Sequence, residues 1–120
     1  MAFYDKVGRI LRIQKYRLIP ELFAESLGTC LLVLIGISAN IQSSQCPFDP
    51  SRSIAWGLGF MFAVLITTGS SESHLNAAIS ISQWVLGNLP TWKLAPYIFS
   101  QIIGALIGAL VAYLGHFGEN

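Results

Sequence analysis

The densest set of chemically capable side chains is Ser71-Glu72-Ser73-His74-Leu75-Asn76, which puts hydroxyls, a carboxylate, an imidazole and an amide within six positions. Nucleophilic catalysis would need a nucleophile, a base and a group that orients the base. Here only Glu72 could orient His74, and His116 stands alone near the C-terminus. No Cys/His cluster has metal-ligand spacing, and no glycine-rich phosphate loop occurs. An enzyme, a metal site and a bound cofactor are therefore not expected. What the stretch does offer is hydrogen bonding: the backbone carbonyls of Ser73, His74 and Leu75, followed by the Asn76 amide.

The elements that position these groups can be read from their neighbours. Asn76 suits an N-cap, since its side-chain oxygen accepts from the orphan N–H groups of a helix start. A helix is expected from Ala77 to about Leu86, stopped by Gly87-Asn88-Leu89-Pro90. Roughly ten residues give about 15 Å, half the thickness of a hydrocarbon core. Flanked by full spans, such a half-helix implies a re-entrant loop with its positive end near the midplane. Irregular backbone at that depth is tolerated only where protein buries it or a watery cavity solvates it. The competing reading is a polar loop of a soluble protein, with Ile79-Ser80-Ile81-Ser82 alternating like a strand.

Composition favours the membrane. Of the 120 residues, 53% are hydrophobic and 11% charged, against about 25% charged in soluble domains. The pattern predicts an all-α membrane protein with three transmembrane helices, about 22–41, 52–68 and 94–113, plus a re-entrant loop and half-helix over about 69–87. That leaves no room for a second domain. The net charge of +1 gives no reason to expect a nucleic-acid partner. Residues 1–19 hold Lys6, Arg9, Arg12, Lys15 and Arg17, with Tyr4, Val7, Leu11 and Leu18 at helical spacing. They read as an amphipathic segment on the bilayer surface, with a basic nucleic-acid arm as the alternative. Pro20 is expected to re-aim the chain. Cys30 lies mid-span and Cys46 in a connector, too far apart in level for a disulfide.

With these motifs in view, the chain resembles the major intrinsic protein family of aquaporins and aquaglyceroporins. Ser71-Glu72-Ser73-His74-Leu75-Asn76-Ala77-Ala78-Ile79-Ser80 is similar to that family's first signature loop, commonly S-G-x-H-x-N-P-A-V-T. Ala77 stands where Pro is usual, although some glycerol-conducting members have Asn-Ala-Ala. Ala24-Glu25-Ser26-Leu27-Gly28-Thr29 resembles the first-helix motif A-E-F-L-G-T. Leu89-Pro90-Thr91-Trp92-Lys93-Leu94 resembles the connector L-P-W-[RK]-K-L, and Ser100-Gln101-Ile102-Ile103-Gly104-Ala105 matches A-Q-x-x-G-A.

The resemblance covers roughly residues 20–117, one of the two inverted repeats of that fold. It implies a passive channel for glycerol and water, homotetrameric when full length, in the plasma membrane. The second signature loop, and the Arg it brings to the constriction, are not in these residues. The chain is thus expected to be a truncated or partial half-pore. The alternative is a non-conducting membrane protein that pairs with full-length subunits through a ridge of Gly104, Gly108 and Ala112. By the same resemblance Ser73, His74, Leu75, Asn76, Ala77 and Ala78 line the pore, and Glu25 and Gln101 support the loop. Trp56, twenty positions before Asn76, would be one wall of the outer constriction. Glu25 could otherwise snorkel to headgroups, and Trp56 could belong to the aromatic belt.

Five of the seven basic residues precede the first span, Lys93 precedes the third, and only Arg52 lies on the other side. The positive-inside rule then puts the N-terminus and the loop in the cytoplasm and the C-terminus outside. A reporter fused after Asn120 should be inactive in the cytoplasm and active outside. Activity confined to the cytoplasm would invert this topology.

Overall fold

The computed structural model describes residues 18–44 and 50–118. The basic amphipathic segment, up to Arg17, and Cys46 lie outside the described residues. Four α-helices follow one another: α1 (Leu18–Gln42), α2 (Ser51–Thr67), α3 (Ala77–Val85) and α4 (Thr91–Gly115). No strand forms among the described residues; an isolated bridge joins Thr68 and Ser71 at the turn after α2.

α1 and α4 have 25 residues each and are apolar enough to cross a membrane, at about 37 Å of rise apiece. α2 has the 17 residues expected, about 25 Å, and starts one position before the expected 52–68. The two long helices also begin earlier than the hydropathy suggests. Pro20 does not redirect the chain but lies within α1, in its opening turn, where the missing N–H costs little. Pro96 sits inside α4, where it forfeits one helical hydrogen bond without ending the helix.

α1 is the central element. α2 runs antiparallel to it, with Arg52 bonded to Ser43 at one end and Thr67 against Gly28 at the other. α4 runs parallel to it, with Lys93 beside Glu21 and His116 beside Gln42. Between α2 and α4 the chain turns back along α1. Leu75 reaches the level of Gly28, about 15 Å along α1 from Leu18. α3 then returns from there, and Gly87, with φ +80°, ends it.

Burial is inverted relative to a water-soluble core. Most buried residues are small or polar: Ala24, Glu25, Gly28, Gly36, Gly59, Ala63, Ser80, Gln101, Gly104, Gly108 and Ala112 among them. Large apolar side chains point outward, including Phe23, Phe62, Leu65, Phe99, Leu106 and Leu110. Helices apolar on every face suit hydrocarbon rather than water, and small residues let their backbones approach closely.

Gly104 and Gly108 lie against the backbone carbonyls of Ser26 and Cys30, and a Cβ at either glycine would collide with those oxygens. The glycine ridge therefore packs α4 onto α1 within the chain. It is not a free surface for a second subunit, as the pairing alternative requires. Gly104→Val should destabilise the fold by at least about 3 kcal/mol, the upper part of the range for overpacking, because the obstacle is backbone. Thermal unfolding in detergent checks this, with the exposed Leu106→Val as the control that should change little.

Candidate functional site

The Glu25 carboxylate is completely buried, one turn into the interior from Glu21. Its Oε1 accepts from Ser71 Oγ at 2.8 Å and from the His74 N–H at 3.0 Å. Its Oε2 accepts from the Leu75 N–H at 2.7 Å and from Gln101 Nε2 at 2.9 Å. A carboxylate has about four lone-pair sites, and all are used. The group joins three segments that meet nowhere in sequence: α1, the 71–75 loop and α4.

The loop backbone is held in an uncommon shape. Ser73 and Leu75 both have φ +54°, in the left-handed region that non-glycine residues avoid at about 1–3 kcal/mol each. The shape directs two successive N–H groups, those of His74 and Leu75, at Glu25. Ser73 is braced further by its N–H on Ser71 Oγ at 3.0 Å and by Thr67 Oγ1 on its hydroxyl at 2.8 Å. Leu75 fills the space that Gly28 leaves open. No hydrogen bond from the described residues reaches the carbonyl oxygens of Ser73, His74 or Leu75. Next in sequence, Asn76 caps α3, its Oδ1 accepting from the Ala78 N–H at 2.8 Å. Asn76 and Ala78 are exposed and Ala77 is half-buried.

The buried side chains form one hydrogen-bonded chain when each proton is given an acceptor. The Gln101 nitrogen faces a carboxylate that can only accept, so it is the NH2 group, and it also donates to Ser80 Oγ at 3.0 Å. Ser80, fully buried, then donates its own proton to His74 Nδ1 at 3.1 Å. His74 carries its proton on Nε2 and donates to Glu72 Oε2 at 3.1 Å. The imidazole is thus a two-ended structural link between Ser80 and Glu72. Gln101 Oε1 is left without a partner among the described residues.

A second polar group lies one turn toward the end of the molecule. Lys93 Nζ donates to Glu21 Oε2 at 2.6 Å, and Tyr97 Oη donates to the same oxygen at 3.0 Å. Lys93 is 5% exposed, so it is not the solvated flanking charge that its position beside a span suggests. The fully buried Tyr97 ring packs on the His74 ring at 5.5 Å and links the two groups. Trp56 is not part of either. It lies eleven positions before Thr67, about 16 Å along α2, half-buried, with Nε1 on Asn40 Oδ1 at 3.3 Å.

The sequence reading brought Glu25, Gln101, Ser73, His74 and Leu75 forward, and the structure places all five together. It missed Ser71, Ser80, Tyr97 and the Glu21–Lys93 pair. The four-residue spacing of Glu21 and Glu25 was the available signal for the pair, since two acids on one helix face of an apolar span each need a partner.

The family model "Major intrinsic protein" matches residues 12–119. The chain belongs to the major intrinsic protein family. It is thus an integral membrane protein of a family of channels, not of enzymes. It is 41% identical over 104 residues to the aquaglycerol porin AQY3 of Saccharomyces cerevisiae, covering 83% of this chain and 16% of that one. The propanediol uptake facilitator PduF of Citrobacter freundii is 41% identical over 97 residues, covering 78% and 36%. The glycerol uptake facilitator protein of Escherichia coli is 35% identical over 96 residues, covering 78% and 34%. The structure aligns with the aquaglyceroporin from Plasmodium falciparum at a TM-score of 0.77 and 30% identity, over 84% of this chain and 43% of that one. The chain therefore spans about a third or less of the length of these curated relatives.

Glu25→Gln keeps the shape of the family chain's buried acid but replaces one accepting oxygen with a donor. Two of the four donors then face an NH2 group, at about 1–3 kcal/mol for each one left unsatisfied. The variant should unfold at lower temperature, and the amides of His74 and Leu75 should exchange hydrogen faster. Unchanged exchange at both amides would mean that Glu25 does not hold the loop.

Proposed function

We propose that this chain is one repeat of a passive channel for small uncharged polyols and water. The reading is carried by the three carbonyl oxygens of Ser73, His74 and Leu75, free of hydrogen bonds among the described residues, which lead to Asn76 at the N-terminus of a nine-residue helix. A solute bearing hydroxyls can donate to the carbonyls in turn and then accept from the unengaged Asn76 amide. The helix N-terminus behind Asn76 carries partial positive charge, which disfavours cations. The Glu25 network holds the carbonyls in place with donors that do not themselves enter the path.

The proposed topology has three spans and a re-entrant half-helix. It is supported by α3 beginning at the level of Gly28 in the middle of the molecule, where lipid-exposed irregular backbone is not viable. α2, at about 25 Å, would cross with its polar flanks in the interface. The N-terminus and the 68–76 loop would face the cytoplasm. Since Lys93 is paired with Glu21, this orientation leans on the five N-terminal basic residues. The plasma membrane and a homotetramer follow the family resemblance.

The substrate class is supported by the relatives, whose names specify glycerol and propanediol uptake. It is also supported by Trp56, whose apolar ring face could pack a polyol's carbon chain in an outer constriction while its hydroxyls bond elsewhere. The Asn76 tip must meet an opposing half-helix before a lined path is continuous. That half would come from residues or a partner beyond these 120.

Stopped-flow shrinkage of vesicles tests both points. Residues 1–120 alone should conduct neither water nor glycerol above empty vesicles. In a complete pore containing this repeat, Trp56→His should lower glycerol flux more than water flux, because a polar ring edge replaces the apolar face. An unchanged glycerol-to-water ratio would place Trp56 in the lipid belt.

A further inference from the structure

The Trp56 indole has a specific seat. Gly36 and Asn40 are four residues apart on α1 and so share one helix face. The indole lies on that face. A Cβ at Gly36 would run into Cδ2, Cε2 and Cζ2 of the ring, and Asn40 Oδ1 accepts from Nε1 at 3.3 Å. The seat cannot slide, because the neighbouring contact interlocks in the opposite sense. Ile35 of α1 fills the space above Gly59 of α2, where an added Cβ would meet its Cγ2 at 3.2 Å and its Cβ at 3.3 Å. One large side chain from each helix thus enters a glycine gap on the other.

We infer that Gly36 and Asn40 are specificity-positioning residues, which set how far the Trp56 ring projects and in which orientation. This rests on the reading of Trp56 as a wall of the constriction. Gly36 fixes the depth. With no side chain beneath it, the ring withdraws fully against α1, and any addition at position 36 pushes it toward its open side. Asn40 fixes the rotation. An indole has a single N–H donor, and the Asn40 oxygen holds it at the end of α1, so one face of the ring stays on the helix and the other stays available. Size discrimination at such a wall responds steeply to small displacements, since one methylene in a tight site can change discrimination by about tenfold or more.

The test uses a complete channel carrying this repeat, in vesicles, with water and glycerol fluxes measured side by side. Gly36→Ala should lower glycerol flux by about tenfold, the lower end for one methylene, with water flux changing far less. Adding Trp56→Phe, a smaller ring, should restore glycerol flux in the Gly36→Ala channel, which a general packing defect would not allow. Asn40→Ala adds no volume and carries the test if Gly36→Ala fails to fold. In the 120-residue chain in micelles, with Trp84→Phe and Trp92→Phe, it should lower the fluorescence anisotropy of Trp56 by freeing the ring. If Trp56→His shifts the flux ratio while Gly36→Ala and Asn40→Ala leave ratio and anisotropy unchanged, the constriction stands and the seat does not govern it. If Trp56→His leaves the ratio unchanged, the constriction reading fails and the inference falls with it.

Discussion

A carboxylate removed from water loses several kcal/mol of solvation unless its lone pairs are filled. Glu25 is completely buried, and four donors from the 71–75 loop and α4 fill it. Much of the remaining structure follows from that constraint. The two left-handed residues of the loop, Ser73 and Leu75, would relax if their neighbouring N–H groups had no strong acceptor. Gln101 would be an isolated amide in an apolar helix. Ser80 and His74 would lose the donor that fixes their proton arrangement. An acid that binds N–H groups on one side of a strand of backbone leaves the carbonyls on the other side free. The same contact that stabilises the loop thus exposes its acceptors.

The rest of the packing is arranged so that this polar centre can exist among apolar helices. Where lipid surrounds the helices, burying large apolar groups between them gains little, so close backbone approach and polar contacts do more of the work. The glycines at 28, 104 and 108 bring α2, the loop and α4 against α1 at short range. Gln101 then falls within hydrogen-bonding distance of both Glu25 and Ser80. The Glu21–Lys93–Tyr97 group closes this centre from the nearer end. Tyr97 links it to His74, so the two polar groups are continuous through one aromatic contact.

Wherever a local rule decides the outcome, the sequence suffices. Asn before Ala-Ala-Ile-Ser and Gly-Asn-Leu-Pro after it mark the start and end of α3, because caps and stops are set by neighbouring backbone. Hydropathy over a window reports the apolar helices, though not their ends. Pro20 suggests a boundary, yet it is absorbed into α1, because the N–H it lacks has no helical partner in an opening turn. The motifs around Glu25, Asn76 and Gln101 also identify the family by type and spacing alone.

Only the tertiary structure decided which polar group answers which. Lys93 has the pattern of a solvated flanking charge, but the parallel packing of α4 on α1 brings it to Glu21, 72 positions away. Ser80 looks like one hydroxyl in an alternating polar stretch, but it bridges Gln101 and His74 by hydrogen bonds. Gly104 and Gly108 could have served a second subunit equally well, and their use within the chain is visible only in the crossing with α1. Trp56 is the clearest case. The family resemblance suggests a role for it, whereas its seat on Gly36 and Asn40 depends on an antiparallel register between two helices. One-dimensional spacing fixes which residues share a face of one helix. It carries no information on which face of another helix they will meet.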